Sequence, residues 1–334
     1  VEDERHLVGL GAWVEATGPT PLWMQINHPG RQAPVHVVRQ PVAPSAVRLA
    51  GVGPTFAVPR ALTEEEIEEI IQRFATTAAV AKAAGFDGVQ IHGAHGYLVS
   101  QFLSPLSNQR TDGWGGTSAN RRRFLDELLR AVRSAVGTDM PIGLKLNSAD
   151  FQKGGFTQEE SMEVVESLQD VDLLEISGGT YEAAAMWDLA PGRDSTRRRE
   201  AYFLEYAEAV RERTPIPLLV TGGFRSLEGM EGALSSGAVD LVGMARPLAV
   251  EPDLPARLAD GTSQGAAPVH LSTFNKTLDT MIQGGWYQAQ INRMARGLAP
   301  DSSLTRAGAV MGYLLPRRKW PAISTLGGGE RRAA

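Results

Sequence analysis

The sequence predicts an α/β protein built on a parallel sheet, a (β/α)8-type (TIM) barrel of which about six of the eight βα units are visible. Three observations lead there. Short apolar runs alternate with stretches of helical periodicity, and strand, helix, strand, helix implies a parallel sheet. No Pro/Gly/Ser-rich linker divides the 334 residues, which favours one barrel over two doubly wound domains. The stretch densest in reactive side chains directly follows an apolar run, at the C-terminal tip of an expected strand, where α/β barrels keep their chemistry.

Taken in order, Leu7, Leu10, Trp13 and Val14 open the chain as an amphipathic stretch, and Leu22 to Asn27 reads as the first strand. The stretch Pro29 to Pro59, rich in proline and valine, is a long excursion of the kind that forms lids or pocket walls. Thr63 and Glu66 make a capping box ahead of Ile67, Ile70, Ile71, Phe74 and Ala78, which share one helix face, and Gly85 ends that helix. Gly88 to His92 is the second strand. Phe124, Leu125, Leu128, Leu129 and Val132 mark the next helix, Ile142 to Leu146 the third strand, and Thr157, Glu160, Val164, Val165 and Leu168 another capped helix. Strands at Leu173 to Ser177, Leu218 to Thr221 and Leu241 to Met244 complete the six. Beyond Arg246-Pro247 come a short helix, a longer one around Leu278 to Met294, and a Gly- and Arg-rich tail expected to fray. Residues 1–300 are therefore expected to form a barrel domain and 301–334 a tail. The two missing units belong at the front, so the barrel is expected to be N-terminally incomplete.

The composition narrows the function. A formal charge of -5 gives no general electrostatic reason to bind nucleic acid or an anionic membrane, and the clusters Arg121 to Arg123 and Arg197 to Arg199 read as solvated helix starts. No apolar run reaches the roughly 18 residues of a membrane helix, and Val1-Glu2-Asp3-Glu4 is unlike a secretory signal, so a cytoplasmic location is expected. Zero cysteines exclude disulfides, thiolate zinc sites and cysteine-held iron–sulfur clusters within these residues. Redox chemistry would need an organic cofactor.

His92-Gly-Ala-His95-Gly-Tyr97 carries the most chemistry, because two imidazoles and a phenol can hold an oxyanion and deliver a proton. In an extended strand, positions i and i+3 point to opposite faces, so the histidines can share a site only if the chain turns immediately after His92. A lone histidine is more often a satisfied core or surface group, and a His-x-x-His zinc site would need a third ligand that the sequence does not place. Metal is not expected. Lys145 lies inside the apolar run of the third strand, where a charge is costly unless something anionic meets it. Gly222 and Gly223 follow a buried strand and precede a helix near Ser226, so their bare backbone can approach a phosphate, with Gly243, Ala245 and the charged Arg246 at the next strand end.

With its continuation Leu-Val-Ser-Gln-Phe-Leu-Ser-Pro, then Asn108-Gln-Arg110-Thr-Asp112-Gly-Trp114-Gly115-Gly116 and Asn120-Arg121, the His92 segment resembles the Old Yellow Enzyme (NADH:flavin oxidoreductase) family. Gln25-Ile-Asn27-His28-Pro-Gly30-Arg31-Gln32, Gly143-Leu-Lys145-Leu-Asn147-Ser-Ala-Asp150, Thr221-Gly222-Gly223-Phe224 and Gly243-Met-Ala245-Arg246 support the resemblance in the family's order. Glu175-Ile-Ser177-Gly178-Gly179-Thr180-Tyr181-Glu182 looks like the NADH oxidase-like branch.

The resemblance implies FMN across the barrel's C-terminal mouth, reduced by NADH or NADPH and reoxidised by the C=C bond of an α,β-unsaturated carbonyl or nitro compound. It implies that His92 and His95 donate hydrogen bonds to the substrate oxygen and that Tyr97 is the general acid, an aromatic pocket wall being its other reading. Gln25 would pair with the flavin's pyrimidine edge, or else be a hydrogen-bonded core glutamine. Lys145 would meet the reduced flavin's N1 and O2 region, or else form an ion pair with an interior carboxylate, the reading ranked second. Gly222, Gly223, Gly243, Ala245 and Arg246 would form the phosphate site with Phe224 alongside, while Asn27 and Tyr181 would neighbour the substrate. Arg31, Arg110 and Asp112 read as scaffolding.

Two departures stand out: the first two βα units are lacking, including a segment that contacts the flavin ring, and Trp114 stands where tyrosine is common. The alternatives are a truncated, catalytically weak FMN-binding barrel and an NAD(P)H diaphorase or oxidase. Dienoyl-CoA reductase-like and amine dehydrogenase-like relatives carry cysteine-held clusters, against which the absence of cysteine argues. The substrate is a small molecule, and the oligomeric state stays open, a homo-oligomer included.

Overall fold

Each of the six apolar runs forms a strand in a computed structural model that describes residues 1, 3–50, 55–178, 204–267, 269, 276–305 and 308. The strands are β1 (Trp23–Ile26), the two-residue β2 (Val42–Ala43) and β3 (Arg60–Ala61), β4 (Gly88–Gly93), β5 (Ile142–Asn147), β6 (Leu173–Ser177), β7 (Leu218–Thr221) and β8 (Leu241–Gly243). The chain divides into two compact units, one mainly Val1–Met186 with Ala209–Leu218, the other mainly Trp187–Glu208 with Leu219–Trp320. In the first unit β1, β4, β5 and β6 lie side by side in that order, every pair parallel. In the second, β7 and β8 pair in parallel.

The register of the four strands decides where chemistry can occur. Gln25 pairs with Gln90, Gln90 with Gly143, His92 with Lys145, Lys145 with Glu175, and Asn147 with Ser177. Because alternate residues of a strand face the same way, these polar residues share one face, with Trp23, Gly88 and Gly143 below them. The opposite face holds Ile26, Val89, Ile91, Ile142, Leu144, Leu146, Leu174 and Ile176, all buried. Burying each such side chain is worth roughly 1.5–3 kcal/mol, so a one-residue slip would be strongly opposed.

The helices are α1 (Leu7–Thr17), α2 (Glu64–Ala83), α3 (Leu98–Leu103), α4 (Ser118–Val136), α5 (Gln158–Ser167), α6 (described over residues 204–211), α7 (Leu227–Ser235), α8 (Leu254–Ala259) and α9 (Lys276–Met294). Both capping boxes form: Thr63 Oγ1 accepts from Glu66 N and Thr157 Oγ1 from Glu160 N, each glutamate returning the bond to the cap's N–H. Gly85, at φ 91, follows the C-cap of α2. The expected apolar faces of α2 and α4 are buried, the two helices pack on each other, and Phe102 of α3 stacks on Phe124 of α4 at 4.1 Å.

The amphipathic stretch at the front forms α1, with Leu7, Leu10 and Val14 half-buried and Trp13 59% exposed. One expectation is corrected. Arg121 is not a solvated helix start; it is buried, donating to Leu103 O at 2.9 Å and Gly116 O at 2.6 Å and pairing with Glu160. Its guanidinium satisfies the last carbonyl of α3 and one loop carbonyl, and ties α4 to α5. Arg123, by contrast, lies over the Trp114 ring at 4.2 Å. The expected Arg197 to Arg199 cluster lies outside the described residues, as does most of the 301–334 tail.

The excursion after β1 is held rather than loose. Arg110 binds Asp112 at 2.5 Å and donates to Pro44 O and Leu62 O at 3.1 and 2.6 Å, pinning β2 and the chain beyond β3 to the loop after α3. Buried Arg31 donates to Val47 O and Arg48 O. These three residues form the scaffold expected of them.

Replacing Arg121 strands the half-buried Glu160 and two carbonyls, so Arg121→Ala is expected to lose roughly 3–5 kcal/mol in urea unfolding. Arg123→Ala is expected to lose about 1 kcal/mol or less. Equal losses would contradict the assignment.

Candidate active site

The tip of β4 brings the expected histidines and tyrosine together. β4 ends at Gly93, and the chain turns with His95 at φ 60 and Gly96 at φ 75. A left-handed non-glycine residue costs on the order of 1–3 kcal/mol, so the surroundings must impose it. His95 N–H donates to Asn147 Oδ1 at 3.2 Å, and His95 C=O accepts from Gln32 Nε2 at 3.0 Å. Gly96 C=O accepts from Gln101 Nε2 at 2.7 Å, which also donates to Pro29 O, while Gln101 Oε1 accepts from Arg31 N. Gly30 makes room for this amide: a Cβ there would lie 2.3 Å from Gln101 Oε1.

The turn closes the i, i+3 separation. The His92 and His95 ring centroids lie 5.1 Å apart at 84°, and the His92 and Tyr97 rings 4.9 Å apart at 71°. Tyr97 is the N-cap of α3. His92 is 6% exposed, and burial, with His95 and Lys145 nearby, lowers its pKa to about 3. Burial and Lys145 lower that of His95 to about 4, against a smaller opposing effect of Glu175. Both imidazoles are therefore neutral near pH 7. His92 Nδ1 accepts from Ala94 N–H at 3.3 Å, which leaves its proton on Nε2, free to donate.

Level with His92 and one rung below it runs a chain of side chains across four strands. Gln25 Nε2 donates to Gln90 Oε1 at 2.6 Å, Gln90 Nε2 to Glu175 Oε2 at 2.7 Å, and Lys145 Nζ to Glu175 Oε1 at 2.7 Å. The Lys145–Glu175 pair is nearly enclosed, at 12% and 7% side-chain exposure. The interior carboxylate of the second reading of Lys145 is thus present on this face, as Glu175. Gln25 is bonded to Gln90 yet exposed rather than a core residue. Asn27 is exposed one residue past β1, and Tyr181 lies outside the described residues.

Gln90, Glu175, Asn147 and Ser177 complete this face, and residue-type reasoning missed their roles. A signal existed, since each of the four apolar runs carries a polar residue that the register sends to one face: Gln25, Gln90, Lys145 and Glu175.

In the second unit, Gly222, Gly223, Phe224, Gly243, Ala245 and Arg246 line one pocket of about 70 Å3, room for several waters or one phosphate-sized group. Gly222 and Gly223 have φ of 124 and 85, and a Cβ at Gly222 would face open space, so a ligand could approach the bare backbone. Gly243 has a different reason: a Cβ there would lie 2.0 Å from Thr221 Oγ1, so glycine lets β8 sit against β7. Among the described residues no group of three or more His, Cys, Asp or Glu could hold a metal, and no helix is long and apolar enough to cross a membrane.

Comparison with known proteins agrees with these features. The profile of the NADH:flavin oxidoreductase / NADH oxidase family matches residues 10–264. An NADH-dependent flavin oxidoreductase of Talaromyces variabilis is 35% identical over 314 residues, 83% of this chain and 75% of that protein. An NADPH dehydrogenase of Clostridium acetobutylicum is 36% identical over 75% of this chain and 70% of its own length. A solved 2-naphthoyl-CoA reductase in complex with 2-naphthoyl-CoA superposes with a TM-score of 0.68 at 32% identity, over 78% of this chain and 41% of that one. Similarly, the chain spans 40% of a Thermoanaerobacter brockii NADH oxidase that is 36% identical. The fold is of the α/β barrel type shared by these flavoenzymes.

Neutral buried histidines make a pH prediction. His92 and His95, and His28 at about 4, are depressed below the ordinary 6.5, so the unfolded chain binds protons first. Their contribution to stability is whole above about pH 6.5 and is lost as pH falls toward about 4. Urea midpoints are expected to fall between about pH 7 and about pH 4.5, with a shallower fall in the His92→Asn/His95→Asn protein. An unchanged slope in that variant would contradict the buried neutral rings.

Proposed function

The chain belongs to the NADH:flavin oxidoreductase / NADH oxidase family, whose cofactors are FMN and NAD(P)H, and on that premise we propose that it is an FMN-dependent ene-reductase. It would move hydride from NADH or NADPH, by way of the flavin, to the activated C=C bond of an α,β-unsaturated carbonyl or nitro compound. One observation carries this reading: two neutral imidazoles and a phenol whose rings lie within 5.1 Å and 4.9 Å at one strand tip.

The residues present fit the cofactor. The pocket of the second unit offers an open backbone approach at Gly222 beside Gly223 and Arg246, suited to a phosphate. Gly243 and Ala245 line the same pocket. In the first unit, Gln25 and Lys145 would meet the polar edge of the ring. Bound FMN supplies the hydride chemistry.

The chain's own residues act on the alkene. The N–H groups of His92 and His95 would hold the carbonyl or nitro oxygen, which gains negative charge as hydride reaches the β-carbon. A neutral imidazole keeps one N–H with which to do this. Tyr97 would then give its phenolic proton to the α-carbon. A well-placed donor of the His92 type contributes roughly 3 kcal/mol to the transition state.

Anaerobic titration of the FMN-loaded protein with NADH or NADPH, followed by 2-cyclohexenone, tests the reading. The flavin band is expected to bleach and then return on adding the enone; bleaching without return would leave a diaphorase or oxidase instead. His92→Ala is expected to keep FMN, lose the charge-transfer band with phenols, and lower enone reduction roughly 10²–10³-fold. Unchanged phenol affinity would remove His92 from the substrate site.

A further inference from the structure

We propose that Ser177 is a positioning residue that sets the tautomer of His95, its hydroxyl donating to Nε2 so that Nδ1–H is the group His95 offers to a ligand. The proposal rests on reading the histidine pair as the oxyanion holder.

His95 Nε2 lies 2.7 Å from Ser177 Oγ. A neutral imidazole has one N–H and one lone pair, so this contact has two possible senses. If Nε2–H donated, the hydroxyl hydrogen of Ser177, a buried residue, would need a second acceptor. Among the described residues that hydroxyl has no hydrogen-bond partner but the imidazole, and the backbone carbonyl of Ser177 is already taken by Ser148 N–H at 2.7 Å. If the hydroxyl donates instead, one contact satisfies both the hydrogen and the ring's lone pair, and a buried donor is not left unpaired.

The backbone supports the same assignment. The left-handed turn at His95 is fixed through its N–H by Asn147 and through its C=O by Gln32, so the ring is brought to Ser177 by constraints outside the side chain. Asn147 and Ser177 are register partners on β5 and β6, so one rung of the sheet holds both the backbone and the ring of His95. With His92 protonated on Nε2 and His95 on Nδ1, each ring presents one N–H that no residue among those described accepts.

Long-range proton–nitrogen spectra of 15N-histidine-labelled protein at neutral pH read the tautomer directly, with His95→Asn assigning the resonance. The wild-type ring is expected as Nδ1–H with an acceptor Nε2. Ser177→Ala is expected to shift it toward Nε2–H and to weaken phenol binding by the FMN-loaded protein about five- to tenfold, the scale of one hydrogen bond. Ser177→Thr, which keeps the hydroxyl, is expected to restore the wild-type spectrum. A wild-type His95 found as Nε2–H, or a Ser177→Ala spectrum that remains Nδ1–H, would overturn the proposal. The spectra need neither flavin nor alkene, so a failure there is distinguishable from a failure to reduce the enone.

Discussion

Strand parity is the constraint on which everything else depends. Four parallel strands in fixed register send Gln25, Gln90, His92, Lys145, Asn147, Glu175 and Ser177 to one face, because their partners oppose one another across the sheet. The reverse face is a continuous apolar layer from Ile26 to Ile176, and that layer holds the register in place. Trp23 packs below the polar rungs over Gly88 and Gly143, where an added Cβ would lie 2.5 Å and 3.1 Å from the indole. The polar face can exist because the apolar one pins it.

Electrostatics then divides that face into two sets of groups. In one, Lys145 and Glu175 neutralise one another, and Gln90 and Gln25 take up the second carboxylate oxygen in a directed chain. Burying such charges is tolerable when each is paired and hydrogen-bonded, as they are here. In the other, burial and the nearby ammonium keep His92 and His95 uncharged. The result is a pair of neutral donors beside a charged pair, an arrangement suited to an oxygen whose charge grows during reaction and is absent before it.

Much of this could be read from residue types. The six apolar runs, both capping boxes and the requirement for a turn after His92 follow from periodicity and side-chain direction, which are local properties. What escaped was set by partners distant in sequence. Lys145 in an apolar run announces that an anion must meet it, but only the pairing of β5 with β6 names Glu175. Arg121 looked like one of three solvated arginines because its acceptors, Leu103 O at the end of α3 and Gly116 O in the loop beyond, are brought to it by a chain course that no periodicity reveals. The glycines divide likewise: Gly222 is bare toward open space, whereas Gly243 is bare because Thr221 of the neighbouring strand lies against it. Gln32 and Gln101, which brace the His95 turn, carried no chemical signal of their own.

The central claim is that the turn after β4 gathers two neutral imidazoles to hold one oxygen. A crystal structure of the FMN-loaded protein with a para-substituted phenol bound tests it most directly. The account predicts the phenol oxygen within hydrogen-bond distance, about 2.6–3.2 Å, of a ring nitrogen of both His92 and His95. A phenol oxygen held by other groups, with the two rings turned away from it, would contradict it.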